Sequence, residues 1–349
     1  MVRAGKVGHV LLTSADPLAE AYDLAMLDLD GVVYIGHEAV DGAAGHIGRA
    51  RMAGMRVAFI TNNASRSAAV VAEHLRDLGV TAQPADVVTS AQAASRVLAE
   101  RFGAGARVVC LGGPGLQSAL DEAGLVAVDV ESEAVAVVSG YGPELLWRDI
   151  MHAAVRIRDG LPWVASNTDR TIPTTYGVAP GHGVLVEMVQ RFAGVSPEVA
   201  GKPARPLLDE TVRRVGGRRP LMVGDRLDTD IEGARNAGVD SLLVLTGVTG
   251  LAELVAAAPR ERPTYVAEDL GGLTQAHAAP ERAGDGWRAG GWSGRVVDGR
   301  LVVEQTGAGA SLDDWWRVAA ATAWAHRDRT GTVPDITAAR VPGTGPAAR

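Results

Sequence analysis

The stretch Leu27-Asp28-Leu29-Asp30-Gly31-Val32-Val33-Tyr34, "LDLDGVVY", decides how the whole chain is read. It closes an unbroken apolar run, residues 24–27, of the kind that forms a strand buried on both faces of a parallel sheet. The run ends abruptly in two carboxylates two residues apart. Side chains alternate along a strand, so an Asp-x-Asp pair at its C-terminal end can aim both acids into the crevice where open α/β sheets bind ligands. Two like charges so close are costly unless a cation or a shared proton relieves them. A divalent metal with oxygen ligands, magnesium foremost, answers that need. One aspartate at a strand end is an ordinary turn former. Two on a buried strand ask for a further reason.

The rest of the composition narrows the field. A chain of 349 residues is long enough for two domains and a sizeable core. The net charge of −7 argues against a dedicated binder of nucleic acid or anionic membrane, both of which want a basic surface. It does not exclude a small anionic substrate, because a metal and a few donors reverse the sign locally. Cys110 is the single cysteine, so no internal disulfide can form, and a reducing compartment fits. No stretch approaches the ~18 apolar residues of a membrane span. A cytoplasmic location is expected.

Working outward, residues 43–53 read as a helix and residues 56–60 as a second strand ending at Thr61-Asn62-Asn63. Ser65 or Ser67 caps the helix that follows. Between residues 90 and 195 the alternation repeats, with strands at 107–111, 134–138 and 163–166 and helices near 116–123, 144–158 and 184–192. Gly201-Lys202-Pro203 then opens a helix to 215. A strand at 220–223 ends at Gly224-Asp225-Arg226, a helix spans 228–237, and 241–245 and 264–267 read as further strands. Beyond 278 the composition shifts, with Trp287, Trp292, Trp315, Trp316 and Trp324 clustered there. Asp298-Gly299 marks a two-residue hairpin turn, and Ser311 with Asp314 caps a helix to 326. So short a piece makes a poor core of its own and must pack on the main body or on a partner.

The expected fold class is therefore α/β: a Rossmann-like parallel-sheet core (18–89 and 196–278), an inserted α/β cap (90–195) and a small C-terminal α+β appendage (279–340). The tail, 341–349, is rich in Pro, Gly and Ala and is expected to be disordered.

Four strand ends or loops carry candidate chemistry: Asp28 with Asp30, Thr61-Asn62-Asn63, Lys202, and Asp225 with Asp230. Parallel strands deliver their C-termini to one edge, so these dispersed residues are expected to converge. A phosphomonoester hydrolase needs what they offer: a nucleophile, an acid for the leaving alkoxide, donors for phosphoryl oxygens and cations for developing charge. Each also has an ordinary place. Thr61 and the asparagines suit turns and caps, and Asp228, Asp230 and Glu232 complement the positive end of their own helix. Lys202 is harder to explain that way, since a cation at a helix start is disfavoured unless an anion lies between.

Taken with "FITNNAS" (59–65), "GKP" (201–203), "VGDRLDTDI" (223–231) and "SNTDRTIPTTYGVAPGHG" (166–183), the opening stretch resembles the haloacid-dehalogenase-like hydrolases. The resemblance is to the phosphatase branch with a large α/β cap, which holds NagD-like, phosphoglycolate and glycerol-phosphate phosphatases, and it spans residues 22–270. It implies that Asp28 attacks phosphorus and forms an aspartyl-phosphate. Asp30 would act as general acid and then base, with its backbone carbonyl on magnesium. Asp225 would be the third protein ligand, supported by Asp230. Thr61, Asn62 and Asn63 would hold phosphoryl oxygens, and Lys202 would neutralise nucleophile and phosphate. Asp30 favours a phosphatase over dehalogenases and phosphonatases, which are expected to lack a carboxylate there.

Specificity is expected in the cap, from Asn167, Asp169 and the loop 176–183. His182 stands between two glycines, where a packing role is not expected, and is a candidate to contact the leaving group. A small polyol or hydroxyacid phosphate is preferred, glycerol 3-phosphate or 2-phosphoglycolate. The competing classes are a phosphotransferase and a non-catalytic protein binding a phosphorylated metabolite. The appendage weakly resembles the coenzyme A loop of N-acetyltransferases at Gly307-Ala308-Gly309-Ala310. A homo-oligomer through the cap or the tryptophan-rich appendage is a further expectation.

Overall fold

The protein is described here by a computed structural model covering residues 11–174 and 176–343. Most of the tail expected to be disordered, from residue 344 on, lies outside the described residues. The chain divides into two compact units, one formed by the residues before 57 together with those after 218, the other by residues 57–218.

In the first unit, Leu24–Leu27 lies beside Pro220–Gly224, which lies beside Asp240–Val244 and then Tyr265–Ala267, every pairing parallel. All four residues of Leu24–Leu27 are buried, as the unbroken apolar run requires. The pairing Leu27↔Val223 brings Asp28 level with the end of its neighbour strand, and the Asp28 N–H donates to Val223 O at 2.9 Å. The expected helix from residue 228 begins instead as a wide π-type turn, Leu227–Ile231, and becomes α-helical only over Glu232–Ala237. Within that turn the Asp230 carboxylate reaches back to accept the Arg226 N–H at 3.0 Å.

The C-terminal piece belongs to the same unit. Glu281–Ala283, Gly286–Ala289, Trp292–Val297 and Arg300–Gln305 form an antiparallel sheet. Its last turn is Asp298-Gly299, with φ of 47° and 77° as a type I′ hairpin demands. The helix Leu312–Thr330 follows, with the Ser311 Oγ accepting the Asp314 N–H at 3.1 Å and donating to the Asp314 carboxylate at 2.7 Å. Trp292, Trp315, Trp316 and Trp324 are buried against Leu243, Leu254, Val255 and Val266 of the parallel sheet and its flanking helix. The tryptophans expected to offer a surface for a partner are thus turned inward, with Trp287 half-buried. Two arginines fix the attachment. Arg262 is bidentate to Asp328 at 2.6 and 2.7 Å and lies over the Trp324 ring, and the buried Arg317 donates to Val266 O at 3.0 Å. The glycine-rich turn before the helix packs on the hairpin, with the Thr306 N–H donating to Gly291 O at 2.7 Å.

In the second unit, Phe59, Ile60 and Thr61 at the end of the strand Arg56–Thr61 pair with Val87–Thr89, again parallel. A separate parallel sheet runs in the order Glu198–Val199, Trp163–Ala165, Ala136–Ser139, Arg107–Leu111, Val126–Val128. The helices Pro114–Glu122, Trp147–Arg158 and His182–Ala193 stand close to the expected positions. Short strands of this unit that escaped the sequence reading are Val87–Thr89, Val126–Val128, Glu198–Val199 and the paired Thr171–Thr174 and Gly177–Pro180, which occupy part of the expected loop. Runs of two to four residues are too short for a period-2 pattern to show.

Candidate active site

Within the first unit, ligand atoms of Asp28, Asp225 and Asp230 all lie within 4.8 Å of one another. Asp28 is half-buried, and Asp225 and Asp230 are fully buried. Glycines make the room. A Cβ at Gly31 or Gly247 would run into the Asp225 carboxylate, and one at Gly224 into that of Asp230. Gly31, at φ 81°, also closes the tight turn whose N–H donates to Tyr34 O at 2.8 Å. The Val248 N–H donates to Asp225 at 2.6 Å and orients it.

Three carboxylates so close repel one another, and burial of two of them sharpens the cost. The donor set is oxygen alone, without histidine or cysteine, which suits a hard cation such as magnesium or calcium and not zinc. Asp230, given a supporting place by the sequence reading, stands in this group beside Asp28 and Asp225. Asp30 is exposed and outside it.

Within the second unit, Thr61, Asn62 and Lys202 are buried and Asn63 is half-buried. The Thr61 hydroxyl accepts the Asn63 N–H at 3.0 Å, which leaves its own proton to donate. The Asn63 carboxamide accepts from the Ser65 N–H at 2.9 Å and the Ser65 hydroxyl at 2.7 Å, and so shapes the turn. Asn62 holds another loop. Its Oδ1 accepts the Lys202 N–H at 2.8 Å, and its Nδ2 donates to Lys202 O and to Asp169 Oδ1, each at 3.0 Å. A Cβ at Gly201 would stand 2.7 Å from the Asn62 oxygen, so only glycine lets the two segments approach.

The three cap candidates sit around this bond. Asn167 is buried, donates to Asn62 O at 2.7 Å and accepts the Asp169 N–H at 3.1 Å. His182 is 4% exposed, and its Nδ1–H donates to Asn167 O at 2.8 Å. Burial lowers its pKa to about 4, the bond to Asn167 opposing, so the ring is neutral at pH 7. The flanking glycines have a packing reason. A Cβ at Gly181 would meet Asp169 O and one at Gly183 would meet Thr168 O, because the loop 167–169 rests on the start of the helix His182–Ala193. Asn167, Asp169 and His182 were legible as polar residues of the cap, but their bonds to Asn62 and to one another carried no local signal.

Away from both clusters, Cys110 is half-buried with its thiol pushed up to about 12, chiefly by burial, which makes it a poor nucleophile. Among the described residues no helix is long and apolar enough to cross a membrane.

The chain is similar to several known proteins. Residues 25–126 match the haloacid dehalogenase-like hydrolase family, and residues 199–273 match a second, HAD-hydrolase-like family. The chain is 46% identical over 259 residues to the D-glycerol 3-phosphate phosphatase of Mycobacterium tuberculosis, covering 74% of this chain and 72% of that one. It is 35% identical over 251 residues to an acid sugar phosphatase of Staphylococcus aureus, covering 71% and 95%. The crystal structure of a glycerol phosphate phosphatase from Mycobacterium tuberculosis in complex with magnesium matches with a TM-score of 0.80 at 41% identity, over 89% of this chain and 92% of that one.

Proposed function

This chain belongs to the haloacid dehalogenase-like hydrolases, and from that premise we propose that it is a magnesium-dependent phosphatase acting on a small phosphomonoester, glycerol 3-phosphate first and 2-phosphoglycolate second. The observation that carries the reading is the group Asp28, Asp225 and Asp230, an oxygen-only ligand set drawn from two strand ends and the turn after the second. The D-glycerol 3-phosphate phosphatase at 46% identity supports the order of substrates. The division into a hydrolase core (18–89 and 196–278) and a cap (90–195) is part of the same proposal.

In this mechanism an Asp28 carboxylate oxygen attacks phosphorus, and the bond from phosphorus to the substrate oxygen breaks in line with it. Asp30 gives its proton to the departing alkoxide, then takes one from the water that attacks the aspartyl-phosphate, and orthophosphate leaves. Asp28, Asp225, Asp230 and the Asp30 carbonyl would hold magnesium, whose charge offsets that of the carboxylates and of the phosphoryl group. Thr61 donates to a phosphoryl oxygen, and the Lys202 ammonium neutralises phosphate and nucleophile.

The test is phosphate release from a panel of small phosphomonoesters, with magnesium and with a chelator. Metal-dependent turnover favouring glycerol 3-phosphate is expected. Release only when an alcohol acceptor is supplied would identify a phosphotransferase, and no release from folded, magnesium-loaded protein would identify a binding protein.

A further inference from the structure

Asn62 has a carboxamide with one acceptor and two donor hydrogens, and all are engaged by protein. Its oxygen and one hydrogen take the two ends of the Lys202 residue, N–H and C=O, so that one side chain grips the lysine's backbone from both sides. The other hydrogen goes to Asp169 Oδ1. The Asn62 backbone is held as firmly, its carbonyl accepting from Asn167 Nδ2 at 2.7 Å and from the Ser90 hydroxyl at 2.5 Å. Lys202 lies 140 residues from Asn62, and Asp169 lies 107 residues away, so these bonds tie three separate loops together.

We propose that Asp169 is a positioning residue for Lys202, acting through Asn62. Asp169 fixes the rotation of the Asn62 carboxamide, and the carboxamide then presents its oxygen to the Lys202 N–H and its remaining hydrogen to the Lys202 carbonyl. Were the amide to flip, both contacts with Lys202 would become repulsive, because like dipoles would face each other. Asn167 and the buried, neutral His182 keep Asp169 in place, Asn167 by accepting the Asp169 N–H and His182 by anchoring the Asn167 carbonyl. The cap loop thus governs how the lysine meets any phosphate, whatever alcohol the phosphate carries. This goes beyond the proposed function and rests on Lys202 serving phosphate as stated there.

The test compares Asp169→Ala and Asp169→Asn with the parent chain, all with magnesium. Two quantities are read: the dissociation constant of inorganic phosphate by calorimetry, and kcat/KM for glycerol 3-phosphate and for p-nitrophenyl phosphate. Asp169→Ala should weaken phosphate binding and lower both kcat/KM values by one common factor, about ten- to a hundredfold. Asp169→Asn, which keeps a carbonyl acceptor for Asn62, should restore most of the loss. Three results would overturn the proposal: a changed ratio between the two esters with phosphate affinity intact, which would make Asp169 a contact of the leaving group; no change in either quantity; or a folded Asp169→Asn as impaired as the alanine variant. Should Asp169→Ala lose its fold by circular dichroism, Asp169→Ser, too short to reach Asn62, replaces it with the same expectations. If the parent chain bound phosphate but hydrolysed neither ester, the phosphatase reading would fail, and the positioning role would still be judged on phosphate affinity.

Discussion

The two clusters of this molecule are built on opposite physical terms. Asp28 and Asp225 at strand ends and Asp230 in the turn that follows bring three like charges together. Asn62, Asn167, Asp169, His182 and the Lys202 backbone gather groups that satisfy one another through hydrogen bonds of 2.7–3.1 Å. The first cluster carries a repulsion that the proposed magnesium would relieve. The second is a stabilising element in its own right, and its polar groups hold loops in place. The difference teaches that polar residues in one proposed site need not share a physical task, and that removing charge and removing a hydrogen bond should have different signatures.

The largest effect should come from Asp28→Asn. Phosphate release should fall by at least about a thousandfold, roughly 4 kcal/mol of barrier, because the amide is a far weaker nucleophile. Its thermal midpoint without metal should stay level or rise, since a repulsion is relieved. A clear loss of stability would break the contrast between the clusters. Next is Asn62→Ala, which leaves the Lys202 N–H and carbonyl without their partner. A destabilisation of about 2–4 kcal/mol in urea unfolding is expected, together with weaker phosphate binding.

Magnesium sharpens the comparison from the other side. At a concentration a hundredfold above its dissociation constant it should stabilise the protein by ~2.7 kcal/mol, and Asp225→Asn should lose that gain while gaining nothing from the chelator's removal. Equal stabilisation in parent and variant would place the cation elsewhere.

Last comes a pH dependence from His182, seen only in acid. Its folded pKa of about 4 lies below the ordinary 6.5, so between those values the unfolded chain takes a proton that the folded chain refuses. The stabilisation is complete above pH 6.5 and is lost as the pH falls towards 4, with a slope of at most ~1.4 kcal/mol per pH unit. His182→Gln should flatten that part of the stability profile.

Asp28 and Asp225 were legible as strand-end acids because each follows an apolar run, a pattern that needs only neighbouring residues. Asp230 was legible as a support for Asp225, but that its carboxylate also comes within 4.8 Å of Asp28 was not, because the wide turn at Leu227–Ile231 leaves no periodic trace. Trp315, Trp316 and Trp324 stood out as a cluster, yet nothing local says whether tryptophans face a partner or the sheet of their own chain. His182 between glycines was not expected to pack, whereas the glycines admit the backbone of residues 168 and 169.

By itself, then, the sequence determined the alternation of strands and helices, the acids at strand ends and the family to which the chain belongs. Each is encoded in short windows, through apolar periodicity, caps and motif spacing. Only the tertiary structure decided that Asn62 grips Lys202, that Asp169 and Asn167 hold Asn62, and that the C-terminal tryptophans complete the core of the first unit. Those outcomes depend on which distant backbones approach closely enough to exchange hydrogen bonds or exclude water, and that is a property of packing across a hundred or more residues.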